Sequence, residues 1–199
     1  LAEGADHRPD APPTGRGTQA LKALPNLITF GRLLAVPATV WLILQHRLDL
    51  AFLLFVAAGV SDALDGWLAR VLDARSQIGA LLDPVADKAL LVCVYVTLAA
   101  IQVLPDWLAI LVVFRDVLIV GGLLLLWMLG QRPIIQPLYV SKVNTALQIT
   151  LAALALFVAG FNLPMDAALT ALVWLVAAST LASGIAYVVG AARRLQGNG

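Results

Sequence analysis

Charged side chains are scarce in this sequence. Asp, Glu, Lys and Arg make up 13% of its 199 residues, about half the share usual in a soluble domain. Cysteine occurs once, as Cys93 in "LLVCVYV". A disulfide within the chain is therefore impossible, and a buried, inert thiol is expected. Histidine occurs only as His7 and His46, both in polar segments, which excludes a histidine-rich metal site. The net charge of +1 comes without a basic cluster, so nothing points to nucleic acid. No internal repeat is visible.

Apolar residues fill the space that charge leaves. They account for 61% of the chain, and the mean hydropathy is +0.90. Several apolar runs approach the roughly 20 residues that cross a bilayer core as a helix. The expected class is an all-α integral membrane protein with six transmembrane helices, at about 26–45, 50–70, 77–103, 106–129, 141–160 and 166–190. The breaks between them are "QHRLD", "RVLDARSQ", "LPD", "GQRPIIQP" and "GFNLPMD". Pro or Gly punctuates three of the five. Trp41, Trp67, Trp107 and Trp127 fall near helix ends, where an aromatic belt places them.

Ahead of the helices, residues 1–20 are rich in Pro, Gly and charge and read as a disordered cytoplasmic tail. They lack the apolar core of a signal peptide. Residues 21–195 form the membrane domain. Lys and Arg divide unevenly between its two sides. Arg8, Arg16, Lys22, Arg70, Arg75, Arg132, Lys142, Arg193 and Arg194 fall on one side, and Arg47 alone on the other. Positive residues favour the cytoplasm, so both termini are expected there, in agreement with an even number of crossings.

Against this background one stretch stands out: "SDALDGWLARVLDARSQIGALLDPVADK", residues 61–88, with five aspartates. Asp62, Asp65, Gly66 and Ala69 are spaced i, i+3, i+4 and i+7, which puts them on one face of the second helix. Gly79, Asp83 and Asp87 are spaced i, i+4 and i+8 on the third. Two adjacent antiparallel helices would present four carboxylates to a shared space, beside residues with almost no side chain. Arg70 lies at its mouth, and Asp73 falls in the turn, off both faces.

Four carboxylates do not stay ionised together at bilayer depth without compensation. Each costs on the order of 3 kcal/mol even on the lenient insertion scale, and like charges raise that cost. An oxygen-only ligand set suits Mg²⁺ or Mn²⁺, and paired ions commonly clamp the oxygens of a phosphoryl group in transfer. Lys88 or Arg70 offers a plainer alternative, since each can neutralise one Asp. That pairing leaves acids over and does not explain the small residues on the same face.

The pattern Asp62-x2-Asp65-Gly66-x2-Ala69-Arg70-x8-Gly79-x3-Asp83-x3-Asp87 resembles, without departure, the signature of the CDP-alcohol phosphotransferases. Further likeness runs through "LPNLITFGRLL", "LLDPVADK", "FRDVLIVGG" and "SKVNTALQ", so that it covers roughly residues 24–190. The resemblance implies a six-helix fold, usually a homodimer, with a polar cavity open to the cytoplasm. It implies that Asp62, Asp65, Asp83 and Asp87 bind two metal ions and that Asp87 is also the general base. Gly66, Ala69, Arg70, Ser76 and Gly79 would line the CDP part of a lipid donor, with Arg70 on its pyrophosphate. Asn26 and Thr29 would touch the nucleotide. The implied reaction joins an acceptor hydroxyl to the lipid-side phosphorus and releases CMP.

Outside the signature, Arg32, Arg115, Asp116 and Lys142 lie in or near the spans. Arg115 and Asp116 are neighbours, about 100° apart round a helix, and need not pair with each other. Arg32, Arg115 and Lys142 near one cavity suggest a site for a phosphate on the acceptor, with snorkelling or structural pairing as the alternative. A phosphate site disfavours inositol or serine. It suits phosphatidylglycerol and glycerol 3-phosphate alike. "FRDVLIVGG" and "SKVNTALQ" look like the CMP-forming cardiolipin synthases, whereas "LPNLITFGRLL" and "LLDPVADK" are shared with phosphatidylglycerophosphate synthases. The joining segment between the first two is shorter here than in mitochondrial members. The donor is expected to be CDP-diacylglycerol and the acceptor phosphatidylglycerol, with glycerol 3-phosphate as the alternative. Two other classes compete: an intramembrane prenyltransferase, which leaves the Gly-x2-Ala-Arg spacing unexplained, and a cation transporter, which needs neither a general base nor an Arg at the mouth.

Overall fold

In the computed structural model of the chain, the described residues are 31, 33–71, 77–128 and 139–196; within the helices, the side chains of 62–71, 77–87, 123–127 and 191–196 fall outside the description. Six helices follow one another: α1, Leu33–Leu44; α2, Leu48–Val71; α3, Gln77–Ala100; α4, Asp106–Met128; α5, Tyr139–Gly160; and α6, Asp166–Gln196. No strand occurs among the described residues. The expected start of the first helix and the expected tail over residues 1–20 lie outside them.

Three turns of one design close the same end of the bundle. In each, a residue other than Gly takes a left-handed backbone conformation: His46 (φ 56°), Gln102 (φ 62°) and Asn162 (φ 51°). The amide that follows reaches back five residues, from Arg47 to Leu42, Val103 to Leu98 and Leu163 to Val158, at 2.9–3.0 Å. These bonds satisfy carbonyls that a helix end otherwise leaves open. An aspartate then stands in the first turn of each following helix: Asp49, Asp106 and Asp166. A negative charge there suits the positive end of the helix dipole. Gln102 adds its side chain, donating to Ala99 O at 3.1 Å and to Asp106 at 3.2 Å.

A close backbone approach belongs to this end. A Cβ on Gly160 would lie 2.6 Å from Asp49 N and 2.8 Å from Leu48 C. Only glycine lets the last residue of α5 touch the first turn of α2. Phe52, Phe157 and Phe161 stack beside the contact, with ring centroids 5.1–6.3 Å apart.

Helix α5 is the packing hub. It lies against α2, α3 and α6, while α4 lies against α3 and α6. The core is aliphatic, built on fully buried Ile43, Val94, Leu98, Leu108, Val112, Leu151, Leu156 and Val176. Tyr95 is also fully buried and donates its hydroxyl to Gln148 O at 3.0 Å, tying α3 to α5. Cys93 is free, as expected, but half-buried rather than buried.

The outside is apolar as well. Ile110, Phe114, Val117, Trp174 and Ile185 are each more than 60% exposed, an arrangement that water penalises and lipid does not. Among the described residues, two helices are long and apolar enough to cross a membrane: Tyr139–Gly160 and Asp166–Gly190, with mean hydropathies of 1.7 and 1.9. Its described residues are all helix and turn, with the apolar exterior of a membrane protein.

Candidate functional site

The signature falls on two unbroken helices. Asp62, Asp65, Gly66, Ala69 and Arg70 lie in α2, and Gly79, Asp83 and Asp87 lie in α3. Pro84 sits inside α3 without ending it; its ring nitrogen donates no bond to the carbonyl of Ala80. The side chains of these signature residues fall outside the described set, as do Asn26, Thr29, Arg32 and Ser76 altogether. Among the described residues, no three His, Cys, Asp or Glu side chains group closely enough to hold a metal ion.

Next to the signature the description resumes with a charged node. Lys88, directly after Asp87, donates from Nζ to both carboxylate oxygens of Asp116 on α4, at 3.0 and 2.8 Å. Arg115 Nη1 donates to Asp116 Oδ1 at 2.7 Å. The neighbours that need not pair do pair: the Arg side chain is long enough to turn back across the 100° between them. Arg115 also donates to Ser141 on α5 at 2.6 Å and to Ser183 on α6 at 2.5 and 3.2 Å. Its side chain is 4% exposed, that of Asp116 10% and that of Lys88 41%. Such a pair offsets its desolvation only when hydrogen bonds satisfy the remaining groups. Here two hydroxyls take the guanidinium and a second cation takes the carboxylate.

A polar ladder continues inward from the node. Asn144 and Gln148, one turn apart on α5, are fully buried, as are Thr180 and Ser183 on α6. Asn144 Oδ1 accepts from Ser179 at 2.7 Å and from Thr180 at 2.9 Å. Gln148 reaches Thr180 at 3.5 Å, a long contact. The sequence motifs above do not single out these residues. Their signal was present as polar side chains recurring at i and i+4 inside apolar spans, at Asn144 and Gln148 and again at Ser179 and Ser183. Lys142, one residue beyond Ser141, is exposed.

Whether the signature fits a divalent cation turns on its counter-charges. Lys88 is the cation nearest Asp87 in sequence, and its ammonium is held by Asp116. That bond engages it with α4. Four carboxylates with no His or Cys remain as hard oxygen donors, the chemistry that Mg²⁺ and Mn²⁺ select. The residues present fit the group.

Residues 22–190 match the model of the family described as CDP-alcohol phosphatidyltransferase. A chloroplastic CDP-diacylglycerol–glycerol-3-phosphate 3-phosphatidyltransferase of Oryza sativa subsp. japonica is 36% identical over 189 residues, covering 86% of this chain and 57% of the relative. A cardiolipin synthase (CMP-forming) / mitochondrial hydrolase fusion protein of Schizosaccharomyces pombe is 36% identical over 183 residues, covering 83% and 30%. A cardiolipin synthase (CMP-forming) of Homo sapiens is 30% identical over 183 residues, covering 82% and 60%. The chain spans less than two thirds of the length of each of these relatives.

Proposed function

Because the chain belongs to the CDP-alcohol phosphatidyltransferase family, we propose that it transfers a phosphatidyl group from CDP-diacylglycerol to phosphatidylglycerol, giving cardiolipin and CMP. The observation that carries this reading is the complete acid signature, spaced without departure on α2 and α3. The cardiolipin synthase names among the relatives support the acceptor. A second reading, with glycerol 3-phosphate as acceptor, is favoured by the rice relative.

In this reading all six helices cross the membrane, residues 21–195 form one domain and the signature opens to the cytoplasm. The active unit is a homodimer. Asp62, Asp65, Asp83 and Asp87 hold two divalent cations, Mg²⁺ or Mn²⁺. When bound, these ions supply positive charge to the pyrophosphate and so stabilise the charge that develops as its bond breaks. Gly66, Ala69 and Gly79 leave room for the nucleotide, with Ser76, Asn26 and Thr29 beside it. Arg70 donates a planar fork of N–H groups to the pyrophosphate. Asp87 takes the proton from the acceptor hydroxyl, whose oxygen attacks the lipid-side phosphorus as the bond to CMP breaks.

Arg32, Arg115 and Lys142 are the cations proposed for the acceptor's phosphate. Lys142 is exposed. Arg115 engages only by exchanging the hydroxyls of Ser141 and Ser183 for phosphate oxygens.

The deciding experiment offers purified protein, CDP-diacylglycerol and Mn²⁺ or Mg²⁺ each acceptor separately, with the lipid product identified by mass. Cardiolipin from phosphatidylglycerol is the expected result. Phosphatidylglycerophosphate from glycerol 3-phosphate selects the second reading. Transport of a labelled divalent ion without CMP release excludes both.

A further inference from the structure

Nothing in the proposed reaction uses Asp116 or Lys88, yet the two anchor the densest polar node described. Asp116 on α4 accepts from Lys88 on α3 through both oxygens and from Arg115 through one of them. Arg115 carries the chain of bonds on to Ser141 on α5 and Ser183 on α6. Four helices meet there, one residue beyond Asp87.

The place of this node on α3 gives it a consequence. Consecutive helical residues lie about 100° apart, so tying Lys88 to α4 limits how far α3 can turn about its own axis at the level of Asp87, within the reach of the lysine side chain. Apolar packing against α4 and α5 resists separation, but it tolerates small rotations better than a paired charge does. Turning Lys88 away takes one of two cations from a mostly buried carboxylate and leaves its second oxygen without that donor, which is costly. Groups hydrogen-bonded directly to metal ligands typically change affinity 10- to 100-fold when removed, and a tie one residue away from a ligand belongs at the low end of that range.

We propose that Asp116 is a positioning residue that limits the rotation of α3 through Lys88, and thereby aligns Asp83 and Asp87. The inference rests on the reading of those two aspartates as ligands of a divalent cation.

Lys88→Met gives the sharpest test. Deleting a cation beside an acidic site tightens Mn²⁺ binding if charge alone matters, whereas loss of alignment weakens it. The full chain in detergent is titrated with Mn²⁺, and the free ion is counted by electron paramagnetic resonance. Lys88→Met and Asp116→Asn are each expected to weaken binding by about tenfold. The double variant should bind no more weakly than either single one, and Lys88→Arg should stay within about twofold of wild type, since it keeps the pair. Thr180→Val, which disturbs only the contact between α5 and α6, should lower the thermal midpoint and leave Mn²⁺ binding unchanged. Unchanged or tighter binding in Lys88→Met overturns the inference, as does an affinity that simply tracks the thermal midpoint across all variants, Thr180→Val included. If Asp116→Asn does not fold, Lys88→Met and Lys88→Arg decide the matter. A wild-type chain that binds no Mn²⁺ overturns the reading of the acid cluster and this inference together; wild-type binding with unaffected variants overturns this inference alone.

Discussion

The two halves of this bundle solve opposite problems with similar helices. Towards the turns at 45–47, 101–105 and 161–165 the interior is mainly aliphatic, buried Thr39 and Thr97 donate back into their own helices, and backbone touches backbone at Gly160. Towards the acid signature it fills with Arg115, Asp116, Asn144, Gln148, Thr180 and Ser183. The first half holds the helices together by shape. The second holds them by hydrogen bonds that each need a particular partner, so it specifies angle and register more sharply than shape alone does. Chemistry that depends on side-chain alignment belongs in the second half, and that is where the signature lies.

This division can be broken from either side. The largest effect is expected at the proposed base: Asp87→Asn should keep donor binding and lose about 10²–10⁴-fold in CMP release, measured with CDP-diacylglycerol and phosphatidylglycerol. Turnover near wild type would remove Asp87 from that role. Next comes Arg115→Met, which takes one of two cations from buried Asp116. It should cost about 3 kcal/mol, read as a fall in the midpoint of unfolding in detergent.

At the turn end, Gly160→Ala forces α5 away from α2 and should cost about 1–3 kcal/mol. Its turnover per folded molecule should match wild type, and a selective loss of turnover would show that the halves are not separable. The smallest change has the opposite sign. His46→Gly relieves a left-handed residue that bears a side chain, and should raise stability by about 0.5 kcal/mol once the greater freedom of unfolded Gly is subtracted.

The fold was largely legible because punctuation and hydropathy agree. Expected and observed ends of α2, α4 and α5 differ by no more than about two residues. At α3 the helix stops at Ala100 instead of about 103, because Gln102 turns left-handed and "LPD" serves the next helix start instead. At the other extreme, α6 runs on to Gln196, six residues past the expected end, since no proline follows and Gly190 is accommodated within the helix. The acid spacing was equally plain, being local to two helices. What escaped was the pairing across helices. Lys88 and Asp116 lie 28 residues apart, and ideal spacing wrongly suggested that Arg115 and Asp116 could ignore each other. A long side chain answers to its tertiary surroundings more than to its helical angle.

Gly160 has a last consequence. With no side chain between them, the backbones of α5 and α2 meet at a point beside the turns, so a change of angle between these two helices about that point would move their far ends, where the acid signature begins, more than the ends that touch.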